Sequence, residues 1–248
     1  MIGRARLNYT LIFAIGVSLF GSFTTVTLAL REPANGADLF WRKPLIGSIF
    51  ALICISGTVA AFFPRKCSET FYEQKAQKAG DLSAKNLGFL KGCNVLRGHH
   101  PSCGRFSAHI LRIDGRILCA ACTGLLFGGI AALAGTALYF FVGLDLGQFS
   151  LSAVWIGHVG VFLGFVQFKF SGYARFVVNA SFVFATYLAL AGTDALTSNI
   201  SSDIYMVVLI IFWLWTRITI SQWDHWKICY GCQHPCAAQG TYVSISPT

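Results

Sequence analysis

The apolar residues of this chain come in blocks, and the blocks are about the length of a membrane. About 20 residues of helix rise about 30 Å, the thickness of a hydrocarbon core. Six blocks qualify: residues 9–30, 44–63, 121–142, 151–168, 174–196 and 204–222. The fourth is the shortest, so five spans or a re-entrant segment is the rival count. Only 12% of residues are charged and 55% are hydrophobic, whereas about a quarter of a soluble domain is charged. An all-α, six-span transmembrane bundle is the fold this pattern predicts, with the lipid bilayer as its first partner.

Lysine and arginine then set the orientation. With the N-terminus in the cytoplasm, sixteen of the nineteen basic residues fall inside, and only Arg31, Arg42 and Lys43 fall outside. Positive residues concentrate on the cytoplasmic side, so both termini are expected there, in a plasma or inner membrane. Residues 64–118 hold ten basic and four acidic residues. Solvated charge of this kind, with some attraction to anionic lipid, accounts for the net charge of +9 without nucleic acid. The first block has a basic start, but it is too long for a signal-peptide core and lacks a small-x-small cleavage site near Ala29. It reads as an anchor.

The chain therefore divides into an N-terminal transmembrane hairpin (1–63), a basic and Cys/His-rich cytoplasmic loop (64–118), a four-helix transmembrane core (119–222) and a Cys/His-rich tail (223–248). The four core spans, joined by short loops, are expected to be antiparallel neighbours in space. Small residues crowd the third span at Gly124, Gly128, Gly129, Ala131, Ala132, Ala134 and Gly135, a pattern that lets helices approach closely. Within the loop, residues 69–91 are spaced like a short amphipathic helix, with Phe71, Tyr72, Leu82, Leu87 and Leu90 toward the lipid. Residues 110–113 and 116–118, joined by Asp114-Gly115, read as a β-hairpin. Its two ends would bring His109 and Cys119 together.

Candidate chemistry sits in two cysteine and histidine clusters. The first holds His99, His100, Cys103, His109, Cys119 and Cys122; the second holds His225, Cys229, Cys232, His234 and Cys236. Eight of nine cysteines face the cytoplasm under this topology, where a disulfide framework is disfavoured and thiols serve as ligands. Cys-x2-Cys pairs with histidine nearby are what a tetrahedral zinc site uses. One site would take Cys103, His109, Cys119 and Cys122, with His100 as a substitute nitrogen ligand. A second would take Cys229, Cys232 and Cys236 with His225 or His234. The competing assignment joins the two Cys-x2-Cys pairs around one ion. Mixed histidine and cysteine favour zinc, and the Cys-x2-Cys-x3-Cys run keeps an iron–sulfur cluster as the alternative. Cys67 and Cys93 are unassigned.

The residues Cys103-Gly104-Arg105-Phe106-Ser107, His109, Gly115, Cys119-Ala120, Cys122-Thr123-Gly124 and Gly128 carry a resemblance. This stretch resembles a family of uncharacterised prokaryotic multi-span membrane proteins, a domain of unknown function, whose members join a Cys/His segment to a Cys-Ala-Arg-Cys-Thr-Gly helix start. Here Ala121 stands where the family usually has arginine, and Gly-Arg-Phe-Ser replaces Arg-Ser-Phe. The resemblance implies a recurrent membrane architecture and no substrate.

Inside the membrane, His158 lies near the middle of the fourth span, where a titratable group is costly. Asn179 and Thr193-Asp194 are its candidate companions. An interhelical hydrogen bond that fixes packing is preferred over an ion path. The sequence thus reads as a membrane scaffold or complex subunit with a zinc-bound cytoplasmic cap, partnered by another membrane protein or a second copy of itself. A membrane-surface metalloenzyme or redox protein and a small-solute or ion transporter are the alternatives. No HExxH, nucleophile elbow or phosphate loop marks a reaction.

Overall fold

The computed structural model of the chain describes residues 2–30, 40–62, 104–113 and 116–230. In chain order its main elements are α1 (Ile2–Ala29), α2 (Arg42–Phe62), a 3-10 turn (Gly104–His109), β1 (Ile110–Ile113), β2 (Arg116–Cys119), α3 (Ala120–Thr136), α4 (Ser150–Phe165), α5 (Gly172–Thr197) and α6 (Ile200–Tyr230). A wider π turn, Ala137–Val142, prolongs α3. Among the described residues, six helical stretches are long and apolar enough to cross a bilayer: Asn8–Ala29, Arg42–Ala61, Ala120–Val142, Gly147–Phe165, Gly172–Thr197 and Ile200–His225. Each overlaps one predicted block. Helix is the form such blocks must take in lipid, because every backbone donor and acceptor is then paired within its own segment.

α5 is the centre of the bundle, packed between α3 and α4. Small residues make this possible. A side chain added at Gly124 or Gly128 of α3 would strike the α5 backbone at Phe176 and Ala180. On the other flank, a Cβ at Gly157 of α4 would lie 2.6 Å from the Ala189 nitrogen of α5. α1 packs chiefly on α6, and α2 on α3. Phe50, Phe182, Leu190, Met206, Ile210 and Trp213 fill the core between them.

One expectation changes here. α3 and α4 follow each other in sequence, but α5 lies between them, because both present glycine faces that fit its backbone. α6 runs on to Tyr230, so residues 223–230 continue the sixth helix.

The predicted β-hairpin is present. β1 and β2 are antiparallel with Ile110 opposite Cys119 and Ile113 opposite Arg116. It rests on the start of α5, where the Tyr173 hydroxyl donates to the Arg112 carbonyl at 3.3 Å. The Asp114-Gly115 turn, the proposed amphipathic segment 69–91, Cys67 and Cys93 lie outside the described residues.

Candidate functional site

Two knots of buried polar side chains cap the bundle, one at each end of α5. Arg175 and Asp194 anchor them, and their separation along the helix is about 28 Å, close to the thickness of a hydrocarbon core. Both residues are buried.

At the hairpin end, α5 contributes Arg175 and Asn179, α6 contributes Arg217, Asp224 and His225, and the chain entering β1 contributes His109. Arg175 donates from Nη2 to Asp224 Oδ2 at 3.1 Å and contacts His109 Nε2 through Nη1 at 3.0 Å. Arginine has no acceptor, so Nε2 of His109 accepts and its ring proton sits on Nδ1. The same Nε2 lies 3.7 Å from Asp224 Oδ2, and the His109 and His225 ring centroids are 5.5 Å apart. Deeper in, Arg217 donates to Gln167 Oε1 at 3.2 Å and to Asn179 Oδ1, while Asn179 Nδ2 donates to the Arg175 carbonyl. The Arg217 guanidinium also lies over the Phe182 ring, 5.5 Å from its centroid.

The charges in this knot are unequal. Arg175 and Arg217 face one described carboxylate, Asp224. Arg175 Nε, Arg217 Nε and Gln167 Nε2 are buried donors with no acceptor among the described residues. Such a set is complementary to negative charge, and unmade buried hydrogen bonds cost about 1–3 kcal/mol each. Cys119 and Cys122 lie within electrostatic reach of Arg217. Cys119 is buried at the end of β2 and forms the N-cap position of α3; Cys122 is half-buried on its first turn. The positive end of the α3 dipole therefore adds to the field at both sulfurs.

The predicted ligands are distributed as follows. His109, Cys119, Cys122 and His225 share the hairpin end of the bundle, and Cys229 is on α6 one helical turn beyond His225. His100, Cys103, Cys232, His234 and Cys236 lie outside the described residues. Among the described residues, no three His, Cys, Asp or Glu side chains gather tightly enough to hold an ion. His109 accepts from Arg175 at Nε2 and carries its proton on Nδ1, so it could ligate a metal only if the Arg175 contact gave way.

At the opposite end, one guanidinium ties three helices. Arg42 Nη1 of α2 reaches Asp194 Oδ1 of α5 at 2.5 Å and Asp203 Oδ2 of α6 at 2.6 Å. Tyr139, on the π turn after α3, donates to Asp194 Oδ2 at 2.7 Å. Between the two knots, His158 of α4 hydrogen-bonds through Nδ1 to the Val154 carbonyl of its own helix at 2.8 Å and meets Trp213 of α6 edge-on. Asn179 and Asp194, its expected companions, belong instead to the two end knots. The interhelical hydrogen bond expected of His158 is replaced by an intrahelical bond and a ring contact.

Sequence reasoning missed Arg42, Arg175 and Arg217, which it counted as loop charges; they are 2%, 2% and 6% exposed. The missed signal was three aspartates, Asp194, Asp203 and Asp224, near span ends in a chain with only ten acidic residues. Compared with known proteins, this chain matches no protein-family model, no curated protein and no solved structure.

Proposed function

We propose that this chain is a membrane scaffold or complex subunit with a zinc-binding cap on its cytoplasmic side. Both termini and the hairpin end lie inside in this reading, and the metal fixes the Cys/His segment onto α3, α5 and α6. One observation carries it: the hairpin bearing Cys119 is anchored through His109 to a buried knot with surplus positive charge. Three or four thiolates on one zinc give a negative centre, which Arg217 and Arg175 would balance. The orphaned donors on Arg175, Arg217 and Gln167 fit that assignment as outer partners of ligand sulfurs. Cys119 and Cys122 supply two thiolates; the remaining ligands come from Cys103, Cys229 and the C-terminal cluster, with His225, or His109 once released from Arg175, as nitrogen ligand. A four-ligand site leaves no open position and serves structure rather than catalysis.

The transporter alternative gains less support. Met206, Val207, Leu209 and Ile210 bury apolar surface on α6 between Asp203 and Trp213, which interrupts a polar route between the two knots.

Elemental analysis of the purified full chain tests the proposal. One or two zinc atoms per chain are expected, with loss of metal and a lower melting temperature in Cys119→Ser/Cys122→Ser. A metal-free wild-type protein, or a double mutant unchanged in both respects, would overturn it.

A further inference from the structure

The knot at the Arg42 end holds one more acid than its geometry can satisfy. Asp194 and Asp203 flank the tight Ser198-Asn199 turn between α5 and α6, and both are fully buried. They contact the same nitrogen, Arg42 Nη1, so their bonded oxygens are near neighbours. The charged and titratable groups described around them are Arg42 and Lys43 from α2, Tyr139 from the π turn, and the two acids themselves. Lys43 stands over the Tyr139 ring, 4.9 Å from its centroid, and among the described residues it pairs with neither carboxylate.

Two independent inventories point to one residue. By charge, a single guanidinium holds two carboxylates, and two ionised acids at such a site repel too strongly for both to stay charged. By hydrogen bonding, three of the four acid oxygens have donors: Asp194 Oδ1 from Arg42, Asp194 Oδ2 from Tyr139 and Asp203 Oδ2 from Arg42. The fourth, Asp203 Oδ1, is buried without a donor among the described residues. A bare buried oxygen is costly on a charged carboxylate and much less so on a neutral acid.

We propose that the Asp194–Asp203 pair is a proton-binding site, with one exchangeable proton held on Asp203 at neutral pH while Asp194 accepts from Arg42 and Tyr139. Proton uptake converts Asp203 from carboxylate to neutral acid and removes one negative charge from the knot. Release restores that charge where α2, α5, α6 and the π turn after α3 meet, so occupancy bears directly on how these four elements hold together. The site is independent of the metal at the other end of the bundle.

Infrared spectroscopy of the full chain in lipid nanodiscs tests this. At neutral pH the wild-type protein should show the C=O stretch of a buried protonated carboxyl. The band should shift on deuterium exchange, move on aspartate-specific ¹³C labelling, and be lost in Asp203→Asn and also in Asp194→Asn, where Arg42 then holds a single carboxylate ionised. Should either variant not be recovered, the labelled wild-type band still decides whether a protonated aspartate exists. No band in either sodium or choline buffer would overturn the proposal. So would a band that survives Asp203→Asn, one that is untouched by aspartate labelling, or one that appears only when choline replaces sodium, which would make a metal cation the occupant.

Discussion

Gly157 marks a point where α4 and α5 nearly touch, and the geometry there sets a measurable cost. A Cβ at this position would sit 2.6 Å from Ala189 N, 2.8 Å from Ala185 O and 2.8 Å from the Ala189 Cβ. Comfortable contacts of this kind begin near about 3.5 Å, so Gly157→Ala forces the two helices apart by almost 1 Å. None of the three atoms is on a flexible side chain. Overpacking of this kind costs about 1–3 kcal/mol, and the stiffness of the obstacle argues for the upper end. Replacing glycine with alanine in a helix returns about 1 kcal/mol. The expected net loss is about 2 kcal/mol. Gly57 of α2 provides the control, because an added Cβ there meets nothing within 4 Å, so Gly57→Ala should gain up to about 1 kcal/mol. Reversible unfolding in mixed micelles with rising dodecyl sulfate, followed by tryptophan fluorescence, measures both. Equal stabilities for the two variants would refute the claim that glycine contact sets the α4–α5 spacing.

Three further outcomes are expected. Arg42→Met leaves Asp194 and Asp203 without their shared cation and should cost about 3–5 kcal/mol; adding Asp194→Asn and Asp203→Asn should recover most of it in the same unfolding assay. Ser198 has φ 46°, a left-handed conformation that favours glycine, so Ser198→Gly should raise stability by about 0.5–1 kcal/mol, and a loss would show that the serine side chain matters more than its backbone. His158 keeps its Nε2 buried with no partner among the described residues, so His158→Phe should fold with stability equal to or above wild type. A large loss of stability in His158→Phe would reveal a bond the ring contact does not account for.

The spans were legible because lipid demands long apolar helices, and nothing shorter or more polar competes with that reading. The hairpin was legible from Asp114-Gly115 between two β-branched runs. Packing order was not. Short loops suggested that α3 and α4 touch, yet glycines on both helices fit the α5 backbone, and surface complementarity outweighs proximity in sequence. The arginines were misread for a related reason. Counting basic residues by side of the membrane says nothing about depth, and Arg42, Arg175 and Arg217 meet partners far away in the chain. Each such partner could be recognised only once the helices were placed. The candidate metal ligands were named by spacing, and the structure adds the cationic surroundings at Arg175 and Arg217 that no spacing rule contains.

Arg42 carries a consequence for how the molecule is made. Its carboxylate partners are 152 and 161 positions downstream, and Ser18 of α1 waits 198 positions for Thr216. During synthesis the second helix must enter the bilayer before these two carboxylates exist, its guanidinium held near the lipid headgroups. The opening helices are lodgers until the closing ones arrive, and a ribosome stalled before α5 would leave them exposed to quality-control proteases.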